Sequence, residues 1–204
     1  MIEGVTVERW RIPATQVFVA LLIGLVLFSR SRWSDRSPGV ATALFAAGVV
    51  LVAVAALGRT WCSMYIAGHK GRVLVTQGPY SVCRHPLYLF SLIGGVGLGL
   101  TARSLTVPLI LLAGFGTVYS LVVRREEEAL HQAFGQAYDD YARATPRFLP
   151  KLSLLREPRE HVVDPLVFRA HLLSTVWFLW LIALAAVVEA LHDAHVLPAA
   201  LALY

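Results

Sequence analysis

Five stretches of this 204-residue chain, residues 13–28, 39–57, 86–100, 105–123 and 166–191, are apolar and almost uncharged over helix length. A helix needs about 20 such residues to cross the hydrocarbon core of a bilayer, and about 17 is a usual minimum. The first and third runs are therefore short and the others sufficient. Charged residues make up only 15% of the chain and hydrophobic ones 57%, against about 25% and 45–50% in soluble domains. The expected fold is all-α: a single integral membrane domain over residues 1–204 with five transmembrane helices.

Flanking charge gives these spans a direction. Ser29-Arg30-Ser31-Arg32 follows the first run where a signal peptide would carry small residues for cleavage, so that run is expected to remain as an anchor. With the N-terminus inside, the inner segments hold 13 Lys and Arg residues and the outer ones only Arg30, Arg32, Arg36 and Arg103. The positive-inside rule favours a cytosolic N-terminus. The net charge of +5 is spread over segments beside spans, which fits anionic lipid headgroups and argues against nucleic acid. Cys62 and Cys83 fall on the inner side and read as plain thiols.

The connections differ in kind. Residues 58–84 form a long polar loop, the sort of length that tends to be functional. Within it Arg72, Val73, Leu74 and Val75 read as a short extended piece, followed by a turn at Gly78-Pro79. Only Thr101-Ala102-Arg103-Ser104 joins the third and fourth runs, so spans 3 and 4 must form an antiparallel hairpin. Equal climbs of 1.5 Å per residue bring His85 and Tyr88, where one arm starts, level with Arg124 to Glu127, where the other ends. Leu130, Phe134, Tyr138 and Tyr141 then share one stripe of an amphipathic helix that Pro146 ends.

That juxtaposition places polar chemistry at a membrane surface. A ligand carrying both an ammonium and a carboxylate needs an anionic partner at one end, which Glu126 or Glu127 supplies. It needs donors at the other, which His85, Tyr88 and the first N–H groups of the third span supply. The plain alternative is a solvated acidic face with Arg84 and His85 reaching lipid phosphate. Gly94, Gly95, Gly97 and Gly99 allow close helix packing, or leave a groove for a ligand. His192 and His195 are too few for a coordination shell, so no metal is expected. In the last span, His171 reads as packed or lipid-facing and Glu189 as interfacial.

At these residues the sequence resembles the isoprenylcysteine carboxyl methyltransferase family and the related phospholipid methyltransferases. Gly78-Pro79-Tyr80 with Arg84-His85-Pro86-Leu87-Tyr88 carries one half of the likeness. Glu126-Glu127, Leu130, Phe134-Gly135, Tyr138, Tyr141 and Pro146-Arg147-Phe148-Leu149-Pro150 carry the other, over residues 72–150 in all. The resemblance implies a methyltransferase that uses S-adenosyl-L-methionine at a cytosolic interfacial site. Its cofactor residues would be Arg72, Val73, Leu74, Val75, Tyr80, His85, Pro86, Leu87, Tyr88 and Glu126.

The substrate implied is a membrane lipid or a lipidated, amphipathic molecule entering sideways from the bilayer. Phe90 stands where the family usually has a small residue. Val122 stands where animal-type isoprenylcysteine enzymes carry a substrate-carboxylate arginine, leaving Arg124, Arg125 or Arg147 to replace it. Arg147 is the residue assigned to orient the substrate. Glu127 or His85 is the base an amine acceptor would need, whereas a carboxylate is already ionised. Isoprenylcysteine O-methylation, phosphatidylethanolamine N-methylation and small-molecule methylation remain open. An NADPH-using sterol-reductase-like protein and a non-catalytic membrane scaffold are the readings outside this class.

Overall fold

The computed structural model describes residues 24–25, 27–69, 72–194, 196–198 and 201–204, with the side chains of Thr117 and Val118 outside the description. Most of the first apolar run, together with Lys70, Gly71 and His195, lies outside the described residues. In chain order the elements are β1 (Ser29–Ser31), α1 (Arg32–Arg36), α2 (Pro38–Ile66), α3 (Pro79–Val82), α4 (Pro86–Thr101), α5 (Thr106–Phe134), α6 (Gln136–Ala144), a short 3-10 turn (Leu152–Leu154), α7 (Pro165–Asp193) and β2 (Leu201–Leu203). Three of these helices, α2, α5 and α7, are long and apolar enough to cross a membrane, and α4 is a shorter apolar helix of 16 residues. They correspond to the second, fourth, fifth and third apolar runs; the first falls mostly outside the described residues.

Helix starts follow from local chemistry. A proline begins α2, α3, α4 and α7, where its missing N–H costs nothing and its fixed φ suits the first turn. Asp164 caps α7 by accepting from the N–H groups of Leu166 (2.9 Å) and Val167 (3.2 Å). The amphipathic stripe does not lie on one continuous helix. Gly135 has φ +53°, a value that favours glycine, and it separates α5 from α6. His131 bridges this break through Nδ1 and Asp139 Oδ1 at 2.8 Å. The piece 72–75 precedes the Gly78 turn as expected, but among the described residues it pairs with no strand.

Helix α4 lies at the centre, packed against α2, α5 and α7. Its glycines make this possible. A Cβ on Gly48 would come within 2.6 Å of the Gly97 carbonyl oxygen, and one on Gly97 within 2.8 Å of the Gly48 oxygen, so the backbones of α2 and α4 touch. Gly99 likewise abuts Pro108 across the expected hairpin, and Gly94 abuts Phe178 of α7. Phe90 turns toward α2, its ring filling the space left by Gly58. Gly95 differs: a Cβ there meets none of the described residues within 4 Å.

A second polar cluster closes the end of the bundle where α4 joins α5. Strands β1 and β2 pair in parallel there. The Tyr204 carbonyl oxygen accepts from the N–H groups of Leu105 (2.7 Å) and Thr106 (2.8 Å) and from Ser104 Oγ (2.7 Å). Glu189, expected at an interface, is buried, and it accepts from Arg103 (3.0 Å) and Ser34 (2.9 Å). Neutralisation by Arg103 is what lets a carboxylate sit at that depth.

Gly97→Ala is expected to force α2 and α4 apart and cost about 1–3 kcal/mol, read as a lower thermal midpoint in detergent. Gly95→Ala, facing open space, should leave that midpoint unchanged or raise it.

Candidate active site

The first motif is built around a tight turn. Gly78 has φ +57°, and a Cβ there would lie 2.3 Å from the Tyr65 ring, so no other residue fits. Ser81 donates to the Gly78 carbonyl at 2.7 Å and accepts from the Arg156 N–H at 3.0 Å. The chain after α6 then runs back along this turn. The Gly78 N–H donates to Arg156 (2.8 Å), the Arg84 N–H to Pro146 (2.8 Å) and the Lys151 N–H to Val82 (2.9 Å). Tyr141 of α6 donates to the Tyr80 carbonyl at 2.7 Å. Residues 145–156 are thereby laced to residues 78–84, and this lacing carries Arg147 and Phe148 to the start of α4.

At that point the hairpin brings in Glu126 and Glu127 from α5. Glu127 Oε1 accepts from Arg84 Nη1 (2.9 Å), His85 Nε2 (3.1 Å) and Arg147 Nε (3.1 Å), and Oε2 accepts from Arg147 Nη2. One carboxylate thus joins three residues from two separate chain segments. Its oxygens are engaged with donors, so the arrangement holds side chains in place and leaves little basic capacity for proton transfer. His85 is buried, with Tyr88 stacked at 5.8 Å and Phe148 tilted at 5.8 Å on its ring. Tyr119 of α5 meets Tyr88 edge-on at 5.0 Å.

Glu126 is different from its neighbour. Its Oε2 atom is buried, and it makes no hydrogen bond within the described residues. His85 Nδ1 lies 3.8 Å from it, beyond hydrogen-bond reach. Because a carboxylate only accepts, His85 Nε2 carries the proton toward Glu127, and neutral His85 then presents a lone pair at Nδ1. His85 Nδ1 and Glu126 Oε2 are therefore two acceptors facing each other at 3.8 Å.

Burial pulls the His85 imidazole below its ordinary value near 6.5, and the hydrogen bond to Glu127 opposes this. The imidazole is therefore neutral at neutral pH. Cys83 is buried and its thiol is pushed up to about 11, mainly by desolvation, which removes it as a nucleophile. Cys62 is a buried free thiol as well.

The sequence-derived site divides accordingly. His85, Tyr88, Glu126, Glu127 and Arg147 come together, with Pro86 and Leu87 opening α4 beside them and Tyr80 tied to α6. Arg72 and Val73 are exposed, and Leu74 and Val75 are partly buried, outside the hydrogen-bonded cluster formed by the described residues. Arg124 and Arg125 are exposed on α5. Sequence reading missed Arg84 and Phe148 as members, although both sit inside the quoted motifs. It also missed a cleft of about 220 Å³ lined by Thr76, Ser81, Tyr141, Thr145, Leu154 and Arg156, which exists only because of the lacing.

Two outcomes follow from this geometry. Glu127→Ala leaves Arg84 and Arg147 facing His85 without a counter-charge and is expected to destabilise the fold by about 3 kcal/mol, seen in thermal unfolding. The His85 ring should titrate below pH 6.5 by NMR, and lower still in Glu127→Gln. Because its folded value is depressed, its contribution to stability is complete above pH 6.5 and is lost as pH falls through the folded value.

Comparison with known proteins agrees with these motifs. The sequence profile of the phospholipid methyltransferase family matches residues 36–137. The chain is 40% identical to the nickel-cobalt-cadmium resistance protein NccN of Alcaligenes xylosoxydans xylosoxydans over 93% of its own length and 85% of the relative. It is also 40% identical to the cobalt-zinc-cadmium resistance protein CzcN of Cupriavidus metallidurans, over 96% and 89%. Protein-S-isoprenylcysteine O-methyltransferase B of Arabidopsis thaliana is 33% identical over 102 residues, 48% of this chain and 50% of the relative. No solved structure matches the chain. With half of its length matched by the profile, and with motif and hairpin in agreement, the chain belongs to the phospholipid methyltransferase family.

Proposed function

We propose that this protein is an S-adenosyl-L-methionine-dependent membrane methyltransferase acting on a lipidic or amphipathic acceptor. The observation that carries the reading is the buried, unpartnered Glu126 Oε2 opposite the lone pair of His85 Nδ1. A burial of this kind costs free energy unless a donor fills the gap. An ammonium group, with three N–H donors and a positive charge, satisfies both acceptors at once. This moves His85 from the carboxylate end of the ligand, where the sequence placed it, to the ammonium end beside Glu126.

When bound, S-adenosyl-L-methionine supplies an electrophilic methyl group on a sulfonium and is converted to S-adenosyl-L-homocysteine. The chain contributes positioning, which accounts for much of the barrier lowering in such displacements. Glu126 and His85 fix the amino-acid end. Tyr88, Tyr119 and Phe148 wall the site with aromatic surface and exclude water. Arg84 and Arg147, locked on Glu127, hold His85 in its neutral, Nε2-protonated form. Glu127 is thus a positioning residue in this scheme, and the clamp also sets where Arg147 borders the acceptor. The site is assigned to the cytosolic end by the charge asymmetry of the flanking segments.

Two of the relatives are named for resistance to metal ions, and we place this chain in the same setting with methyl transfer as its chemistry. Among the described residues, no group of three or more His, Cys, Asp and Glu side chains is placed to hold a metal ion.

The purified wild-type protein in detergent should bind S-adenosyl-L-homocysteine, and Glu126→Gln should weaken that binding at least about 10-fold, the loss expected for one charge-assisted hydrogen bond. Calorimetry checks this. Absence of wild-type binding, together with no transfer of labelled methyl to prenylcysteine, phosphatidylethanolamine or thiols, would sink the reading.

A further inference from the structure

Arg59 sits inside α2, three residues deeper into the bundle than Cys62, on a helix long and apolar enough to span the membrane. It follows the apolar run 39–57, in the last turns of that helix, where a cation turned toward the bundle marks a candidate site unless it is paired. The pairing here is neutral. Arg59 Nη1 donates to Ser91 Oγ, its guanidinium lies 5.7 Å over the Phe178 ring, and its Nε is buried with no hydrogen-bond partner. Among the described residues no carboxylate lies within ion-pair distance of it. The other internal arginines differ: Arg84 and Arg147 are held by Glu127, and Arg103 by Glu189.

Its surroundings give the charge a direction. Ser91 follows Tyr88 by three residues on α4, so the two share a face, with Ser91 about 4.5 Å further from the polar end. Gly95 continues that face one turn on, and a Cβ there would meet none of the described residues within 4 Å. This strip of α4 runs between the side packed on Phe178 of α7, through Gly94, and the side packed on Pro108 of α5, through Gly99. Among the described residues nothing covers this strip at Gly95, and the Arg59 cation, paired to no described carboxylate, borders it at Ser91.

We propose that Arg59, with Ser91 oriented by its own bond to the Leu87 carbonyl (2.7 Å), recognises an anionic oxygen-bearing head group on the amphipathic acceptor, a carboxylate or a phosphate, whose apolar chain lies along Ser91 and Gly95. The guanidinium edge that ends in the partnerless Nε provides donors in the fork geometry such oxyanions accept. The head group is held about one turn inside the reacting centre, so that binding the anion aligns the acceptor with the methyl donor. Arg59 is a specificity-determining residue in this account. The inference rests on the methyltransferase reading for what the bound molecule does, while the recognition itself is tested by binding alone.

The test is calorimetric titration of wild-type protein in neutral detergent with a dodecyl phosphate, a dodecanoate and dodecanol, repeated with Arg59→Gln and Arg59→Lys. At least one anion should bind ten-fold or more tightly than the alcohol to the wild type. That preference should vanish in Arg59→Gln and return in part in Arg59→Lys, while S-adenosyl-L-homocysteine affinity stays within two-fold. The phosphate and carboxylate arms say which head group is taken. Equal affinity for all three amphiphiles in the wild type, or an anion preference that survives Arg59→Gln, overturns the proposal. Loss of S-adenosyl-L-homocysteine binding in the wild type would fail the methyltransferase reading and leave the Arg59 result standing by itself. Should Arg59→Gln not fold, Ser91→Ala provides the second variant, with a smaller loss of anion preference expected and an unchanged preference counting against the site.

Discussion

The clamp on Glu127 is the contact on which the polar end of the molecule depends. Its carboxylate takes hydrogen bonds from Arg84 and His85 before α4 and from Arg147 after α6. Those segments are also joined by backbone bonds between loops, by Ser81 accepting from the Arg156 N–H and by Phe148 on the His85 ring. In a low-dielectric setting, a half-buried carboxylate is tolerable only with such donors, and the donors in turn are tolerable only with the carboxylate. Removing one member exposes the others to an uncompensated charge, so the cluster behaves as a unit.

This unit separates two neighbouring glutamates into different tasks. Glu127 is saturated by the protein, whereas Glu126, one residue earlier on the same helix, has a buried oxygen left for something else. The adjacency follows from helix geometry: successive residues point about 100° apart, so one faces the loops and the other the interior of the site. A structural ion cluster and a buried, unpartnered acceptor are thereby built from one dipeptide. The same economy recurs at Arg59, where the protein offers only a hydroxyl and an aromatic face to a full charge.

Glycine packing sets the scale of everything above the site. Contact between the backbones at Gly48 and Gly97 draws α2 and α4 together, and Gly99 does the same for α4 and α5. Gly95 lies on a face of α4 that no described helix approaches in this way. Small residues therefore close three sides of a single helix, and Gly95 lies on its fourth.

Much of this was legible in the chain alone, for physical reasons. Helix-length apolar runs have few alternatives in a bilayer, a four-residue connection forces a hairpin, and equal rises bring His85 opposite Glu126 and Glu127. The break at Gly135 was visible as a residue type but not as a boundary, since the stripe of Leu130, Phe134, Tyr138 and Tyr141 fits a continuous helix equally well. What only the tertiary structure decided is which charges are neutralised. Arg147, Arg84 and Arg59 look alike in sequence, and their roles diverge because backbone lacing between residues 78–84 and 145–156 delivers two of them to Glu127, while helix packing leaves the third beside a serine. Periodicity and connection length act along the chain and can be read from it; the pairing of charges depends on distances between segments that meet only in the folded molecule.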